Sequence, residues 1–72
     1  MKRCDEKDVA LYKDFMHYGK ILKCEDFIFE SDNIFITMKV AELDKVRIMF
    51  VIRNGQLVAL ENLGGLSNGN YD

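Results

Sequence analysis

Three side chains in this sequence are of the types that hold soft metal ions: Cys4, His17 and Cys24. Twelve residues separate the first two, and six residues separate the next two. Structural zinc sites take four ligands, commonly as close pairs, so this spacing fits no zinc pattern and predicts no metal site. A Cys4–Cys24 disulfide is one alternative. The other is a free Cys4 thiol near the N-terminus, with Cys24 as a small residue in a strand.

The sequence offers few groups for catalysis. Asp14 lies three residues before His17 and can orient it on a helix, but no nucleophile is placed beside that pair. The carboxylates of Glu25-Asp26 are adjacent in a strand pattern, so they point to opposite faces and cannot act on one substrate atom. Gly64-Gly65 are followed by neither a helix nor a lysine, unlike a phosphate-binding loop. We therefore expect no enzymatic activity and no cofactor.

Composition and charge limit the class of protein. The chain has 72 residues, with ten basic and twelve acidic side chains and a net charge of -2. This length predicts one domain, and the mixed charge argues against nucleic acid as the main partner without excluding it. Lys2-Arg3 is not followed by the apolar stretch of a signal peptide, and the apolar runs are too short to span a bilayer. With two cysteines, the expected setting is a reducing cytoplasm without membrane contact.

The hydrophobic pattern predicts one helix followed by strands. Residues 5–20 show helical spacing, with Asp5 as the N-cap and Gly19 ending the helix in a left-handed conformation. From residue 21 onwards, β-branched and aromatic residues favour strands. Four strands are predicted at residues 21–30, 34–40, 45–53 and 56–62, with a bend near Glu25-Asp26 and a turn over residues 41–44. The short connections require antiparallel neighbours, so we predict an α+β domain over residues 1–63, one N-terminal helix on a four-stranded antiparallel β-meander, and a flexible tail over residues 64–72.

The dipeptide Asn54-Gly55 between two apolar runs is a strong signal for a two-residue hairpin turn. A regular hairpin around this turn fixes the pairing of the last two strands. The predicted pairs are Arg53 with Gln56, Ile52 with Leu57, Val51 with Val58, Phe50 with Ala59, and Met49 with Leu60. Because paired residues share a face, this register predicts apolar centres on both faces of the hairpin.

One helix can cover only one of these two faces. The second apolar strip then resembles the exposed patches that mark interaction sites. Its predicted contact residues are Arg47, Met49, Val51, Arg53, Val58 and Leu60, with the apolar side chains as anchors and the arginines giving orientation. Three explanations remain open: a homodimer through the sheet face, a different protein partner, or a sheet curled into a small barrel.

The barrel alternative comes from a family resemblance. The segment RIMFVIRNGQLVAL, residues 47–60, resembles the second motif of Sm-like RNA-binding proteins, in which a hydrophobic strand runs into Ile-Arg-Gly. Ile52-Arg53 match this motif, Gly55 comes one residue late, and Gly19 resembles the glycine of the first motif. The resemblance implies a small Sm- or SH3-like barrel after an N-terminal helix, assembled into an RNA-binding ring with Arg53 at the RNA site.

The combined pattern favours a small non-enzymatic protein-binding module, a cytoplasmic regulator or inhibitor that acts through an apolar sheet face. Antagonists of host proteins encoded by phages or mobile elements have this profile, and so do bacterial accessory proteins. The Sm-like RNA-binding oligomer is the alternative function.

Overall fold

The computed structural model describes residues 4–65. The elements in chain order are α1 (Glu6–Tyr18), β1 (Lys20–Phe29), a 3-10 turn (Glu30–Asp32), β2 (Ile34–Leu43), β3 (Val46–Arg53) and β4 (Gln56–Gly65). The strands form one antiparallel sheet in the order β1-β2-β3-β4. This confirms the predicted fold class, one N-terminal helix on a four-stranded meander. Within residues 4–65, no helix is long and apolar enough to cross a membrane.

The start of α1 follows the sequence, whereas its end does not. Asp5 is the N-cap, and its Oδ1 accepts a hydrogen bond of 3.0 Å from the backbone N–H of Asp8. Glu6 and Asp8 place negative charge in the first turn, where the helix dipole favours it. The left-handed conformation predicted for Gly19 is wrong: its φ of -88° and ψ of -175° are extended. The chain needs this geometry because β1 begins at the next residue.

Gly19 is instead required by a close approach between two backbone segments. A Cβ atom at this position would lie 2.6 Å from the Phe15 carbonyl oxygen and 2.7 Å from the Glu42 carbonyl oxygen. Both neighbours are backbone atoms and cannot rotate away. Gly19 therefore allows the C-terminal end of α1 to lie directly against β2.

The sheet is open, so the Sm-like barrel alternative is wrong. β1 and β4 form its two edges and do not pair with each other. Closing a sheet requires strand tilt and stagger that bring its edges together, and residues 4–65 contain no further strand to bridge them. The segment before Gly19, which that family would use as a strand, is the helix α1.

Two connections between strands are tight turns with positive φ at both central residues. Asn54 and Gly55 have φ values of 49° and 83°, as the sequence predicted, and Asp44 and Lys45 have values of 53° and 66°. The second turn was predicted too early: β2 continues to Leu43, which pairs with Val46. The predicted bend near Glu25-Asp26 is also misplaced, because the β1 irregularity lies between Ile21 and Lys23.

Asn54 joins the two hairpins at the same end of the sheet. Its Oδ1 accepts a hydrogen bond of 2.8 Å from the Phe35 N–H, and its own N–H donates to the Phe35 carbonyl at 2.7 Å. Its Nδ2 also donates to the Asn33 carbonyl at 3.3 Å. One side chain thus fixes the β3–β4 turn against the β1–β2 connection.

The predicted register of the last hairpin is correct only for the two pairs nearest the turn. Ile52 pairs with Leu57, but Val51 pairs with Ala59, so the strand has a bulge at Val58. Beyond it, Phe50 pairs with Leu60 and Met49 with Glu61. A second irregularity, at Leu63, follows further along β4.

The core lies between α1 and one face of the sheet, which we call the covered face. Its buried side chains are Phe15, Ala41, Ile48, Phe50 and Leu57. Phe50 lies at the centre, with ring centroids 5.1 Å from Tyr12 and 5.6 Å from Phe15 in edge-to-face geometry. Such aromatic pairs contribute beyond the area they bury.

The last strand ends later than predicted. β4 continues through Gly64 and Gly65, which pair with Arg47 and Val46. Residues 64–65 therefore belong to the sheet, where a tail was expected. The rest of the predicted tail, residues 66–72, lies outside the described residues.

Candidate protein-interaction surface

The sheet face turned away from α1 carries a contiguous group of apolar side chains, which we call the open face. In antiparallel pairing, residues directly opposite each other share a face, so the register assigns each side chain to one side. The centre of the open face consists of Ile36, Met38, Val40, Met49, Val51 and Ala59. Phe27, Phe29 and Ile34 extend it towards one end of the sheet.

The described elements provide no second layer for the open face, because the single helix packs on the other side. The central residues of this face are each half-buried by their neighbours in the sheet. At the β1 edge, Phe27 and Phe29 remain 42% and 48% exposed. An ordinary protein surface exposes hydrophobic residues singly, whereas this face carries a contiguous group of them.

Charged residues surround this apolar centre in an ordered way. Two cross-strand rows show it. One row reads Lys23, Val40, Met49, Glu61 from β1 to β4, and the next reads Lys20, Glu42, Arg47, Gly64. In the first row, opposite charges lie at the two edges of the sheet. In the second, they lie on the two central strands. The open face thus has an apolar centre with both signs of charge at its margin, the anatomy of a protein interface.

Arg47 is the least satisfied charge on this face. Its Nε is shielded from solvent and finds no hydrogen-bond partner within residues 4–65. Glu42 lies directly opposite on β2, yet the two form no ion pair within 4 Å among the described residues. A guanidinium nitrogen that is shielded from solvent and has no acceptor is destabilising.

The structure places the six contact residues predicted from sequence in three different parts of the sheet. Arg47, Met49, Val51 and Arg53 lie together on the open face, as the register of β2 and β3 shows. Val58 is half-buried at the bulge. Leu60 pairs with Phe50 and packs against the core, so it lies on the covered face.

The larger part of the open face comes from residues that the hairpin pattern missed. Met38 pairs with Val51 and Val40 pairs with Met49, which places a second apolar strand beside the first. The alternation of Ile34, Ile36, Met38 and Val40 showed that these residues share a side. The two-residue turn at Asp44-Lys45 was not predicted, and this turn sets the register of β2 against β3.

The candidate chemical residues are not assembled into a site. Cys4 is half-buried, Cys24 is exposed, and both are free thiols. Burial raises the pKa of the Cys4 thiol, and the nearby Asp8 and Asp5 carboxylates raise it further because they disfavour the thiolate. Within residues 4–65, no three His, Cys, Asp or Glu side chains are close enough to hold a metal ion together.

His17 lies on an exposed part of α1. Its ring meets the Tyr18 ring edge to face, with centroids 4.4 Å apart. The shallow groove beside it is lined by α1 residues alone, Tyr12 to Asp14 and Met16 to Tyr18. A groove formed by one surface of one helix offers no opposing wall to hold a substrate.

Comparisons with protein-family models, with curated proteins and with solved structures give no match for this chain. The function proposed below therefore depends on the residues and their geometry alone.

Proposed function

We propose that this protein is a small non-enzymatic protein-binding module, a regulator or inhibitor, whose binding surface is the open face of its sheet. One observation carries the proposal: a contiguous apolar face with charges of both signs at its margin, left without a covering layer by the described elements. Covering apolar surface is the dominant favourable contribution to most protein–protein association.

The chemistry of the face supports a protein partner over a nucleic acid. Its centre is aliphatic, with methionine, valine and isoleucine side chains in contact across strands. The basic residues of this face are interspersed with Glu25, Glu42 and Glu61, so the described residues form no continuous basic stripe to follow a phosphate backbone. These basic residues are Lys20, Lys23, Arg47 and Arg53. A mixed margin of this kind gives orientation and specificity to a protein contact.

The setting we propose is the cytoplasm, consistent with two cysteines that are both free thiols. A phage- or mobile-element-encoded antagonist of a host protein fits this size and this surface. In such a role the chain would act by occupying a site on its target.

The test is an affinity capture from the native host, performed with wild type and two variants. Val51→Lys places a charge at the centre of the open face, and Lys13→Glu changes an exposed charge on α1 as a matched control. We expect the captured protein to be lost with Val51→Lys and kept with Lys13→Glu, while circular dichroism shows both variants folded. Capture that Val51→Lys leaves unchanged would contradict the proposed surface.

A further inference from the structure

We infer that the open face binds the open face of a second copy of this chain, as a two-fold symmetric dimer of stacked sheets. This inference rests on the proposed function, because it names a partner for the same surface. It is carried by the arrangement of charges on the face, which is complementary to itself under one symmetry operation.

Consider a two-fold axis that runs parallel to the strands, midway between β2 and β3. It places β1 of one copy over β4 of the other, and β2 over β3, with each cross-strand row facing itself. Val40 then faces Met49 of the second copy, and Met38 faces Val51 of the second copy. These four apolar side chains meet in the middle of the contact, while Ile36 faces Arg53 and Ala59 faces Glu25 of the second copy. Aligned sheets pack with a spacing of about 10 Å and a rotation of about 30°.

The same axis pairs opposite charges in the Lys23–Glu61 row and in the Glu42–Arg47 row. Lys23 faces Glu61 of the second copy, and Glu42 faces Arg47 of the second copy. Each pair occurs twice because the contact is symmetric. The second pair also brings a carboxylate from the other copy to the guanidinium group of Arg47, which forms no ion pair with Glu42 of its own chain within residues 4–65.

A two-fold axis across the strands does not give this match. That axis reverses the order of the rows along the strands. The residues that face each other therefore depend on where along the strands the axis passes. Centring this axis on one of the middle rows brings Glu25 onto Glu25 or Lys23 onto Lys23. Centring it between those two rows brings Arg53 onto Arg47, although it also pairs Glu25 with Lys23. Like charges facing each other disfavour these arrangements. The axis along the strands pairs opposite charges in two rows and brings no like charges together, so the charge pattern favours this axis.

The face is also large enough for a specific contact. Four strands about 4.8 Å apart, with five rows of side chains about 6.8 Å apart, cover roughly 20 by 30 Å with their side chains. Two such faces bury on the order of 1,200 Å², the lower limit for specific protein–protein interfaces. An association of moderate affinity is expected, with a Kd in the micromolar range (roughly 1–50 µM).

The first experiment measures the mass of the purified full chain by sedimentation equilibrium across roughly 1–200 µM, a range that brackets the expected Kd. Wild type and Lys13→Glu should shift from monomer to dimer as concentration rises. Val51→Lys should remain a folded monomer, because the dimer would bury two unpaired lysines. Addition of single-stranded RNA at low salt should leave the wild-type mass unchanged.

The second experiment uses Lys23 and Glu61, which lie on opposite edges of the sheet. Three strand spacings separate them in one chain, roughly 14 Å, so they interact little within a monomer. Lys23→Glu alone and Glu61→Lys alone each create two like-charge contacts across the dimer. Each should weaken self-association roughly five- to twentyfold.

Mixing these two single variants gives the decisive comparison. In a mixed dimer, Lys23→Glu meets Glu61→Lys at one contact, and the native Glu61 and Lys23 meet at the other. Both contacts are then complementary, so the mixture should associate to within about threefold of wild type. Because Lys23→Glu also removes the 3.8 Å ion pair with Glu25, the second variant provides an independent arm.

The outcomes separate this inference from the proposed function. A wild-type chain that stays monomeric at the highest concentration, or a mixture no stronger than its two components, overturns the dimer. If Val51→Lys nevertheless abolishes capture of a host protein, the proposed function stands with a different partner. If Val51→Lys changes neither self-association nor capture, both are overturned.

Discussion

The two faces of this sheet are built from alternate residues of the same strands, yet they differ in what they contact. Phe50 is fully buried under Tyr12 and Phe15, whereas its neighbour Val51 lies half-buried on the face without a covering layer. Hydrophobicity does not distinguish the two faces, since both have apolar centres. The difference is that α1, the single helix of the described residues, packs on only one of them.

A small domain with a single helix therefore divides its apolar residues between two purposes. The covered face stabilises the fold of one chain, at any protein concentration. The open face can be covered only by association, so its contribution depends on a partner.

Phe50→Ala tests the covered face. Deleting a fully buried aromatic side chain should lower the free energy of unfolding by about 3–5 kcal/mol, much of the stability of so small a domain. Met49→Ala, one residue away on the open face, should cost the monomer less than about 1 kcal/mol. Urea titration at low protein concentration measures both values. Similar losses for the two variants would show that the faces do not differ as described.

Gly19→Ala tests how α1 is held against the covered face. The added methyl group would collide with two backbone carbonyls, so we expect a loss of about 2–3 kcal/mol. Gly55→Ala is the matched control: it has open space around it but a φ of 83°, so only backbone strain of about 1–2 kcal/mol is expected. Thermal unfolding compares the two. A smaller loss for Gly19→Ala than for Gly55→Ala would contradict the close approach to Glu42.

Tyr12→Phe tests the polar margin of the covered face. The Lys39 Nζ donates a 3.2 Å hydrogen bond to the Tyr12 hydroxyl and lies 5.7 Å from the centre of the same ring. Removing the hydroxyl keeps the ring contact, so the loss should be about 0.5–1 kcal/mol. Urea titration of Tyr12→Phe alone and combined with Lys39→Met separates the two contributions. If Tyr12→Phe remains equally costly without Lys39, the hydrogen bond is not its cause.

The reaction rates of the two cysteines test how exposed each thiol is on the helix side of the sheet. This test needs no substitution that destabilises the fold. Only the thiolate is alkylated, so the raised pKa of Cys4 and its partial burial should slow its reaction at neutral pH. The exposed Cys24 should react several-fold faster, and the Cys4 rate should rise steeply as pH increases. Mass spectrometry after timed alkylation, with Cys4→Ser and Cys24→Ser as references, measures both rates. Faster labelling at Cys4 would contradict its placement.

The architecture was predictable because local signals agreed with one another. The N-cap at Asp5 and the turn at Asn54-Gly55 depend on neighbouring residues alone, and both are present in the structure. A meander follows from such short connections. The end of the helix was not predictable in this way, because the conformation of Gly19 is set by its contact with the Glu42 carbonyl, far along the chain.

The site was predictable only in part, and the bulge at Val58 explains most of the difference. A regular hairpin would place Ala59 opposite Phe50 and send Leu60 to the open face. The bulge instead brings Leu60 opposite Phe50, into contact with the core, and moves the small Ala59 to the open face. Nothing in the local sequence marks this irregularity, since valine fits a regular strand equally well. It follows from packing between elements, which a residue pattern does not contain.

The exposure of β1 predicts that this strand unfolds locally before the rest of the sheet. All ten of its residues are exposed, although β1 pairs with β2 along nearly its whole length. Its backbone hydrogen bonds are therefore protected by little more than the ladder itself, whereas those between β2 and β3 lie in the centre of the sheet. Amide hydrogen exchange should show a gradient, with β1 released by local opening and the central strands exchanging only when the whole domain unfolds.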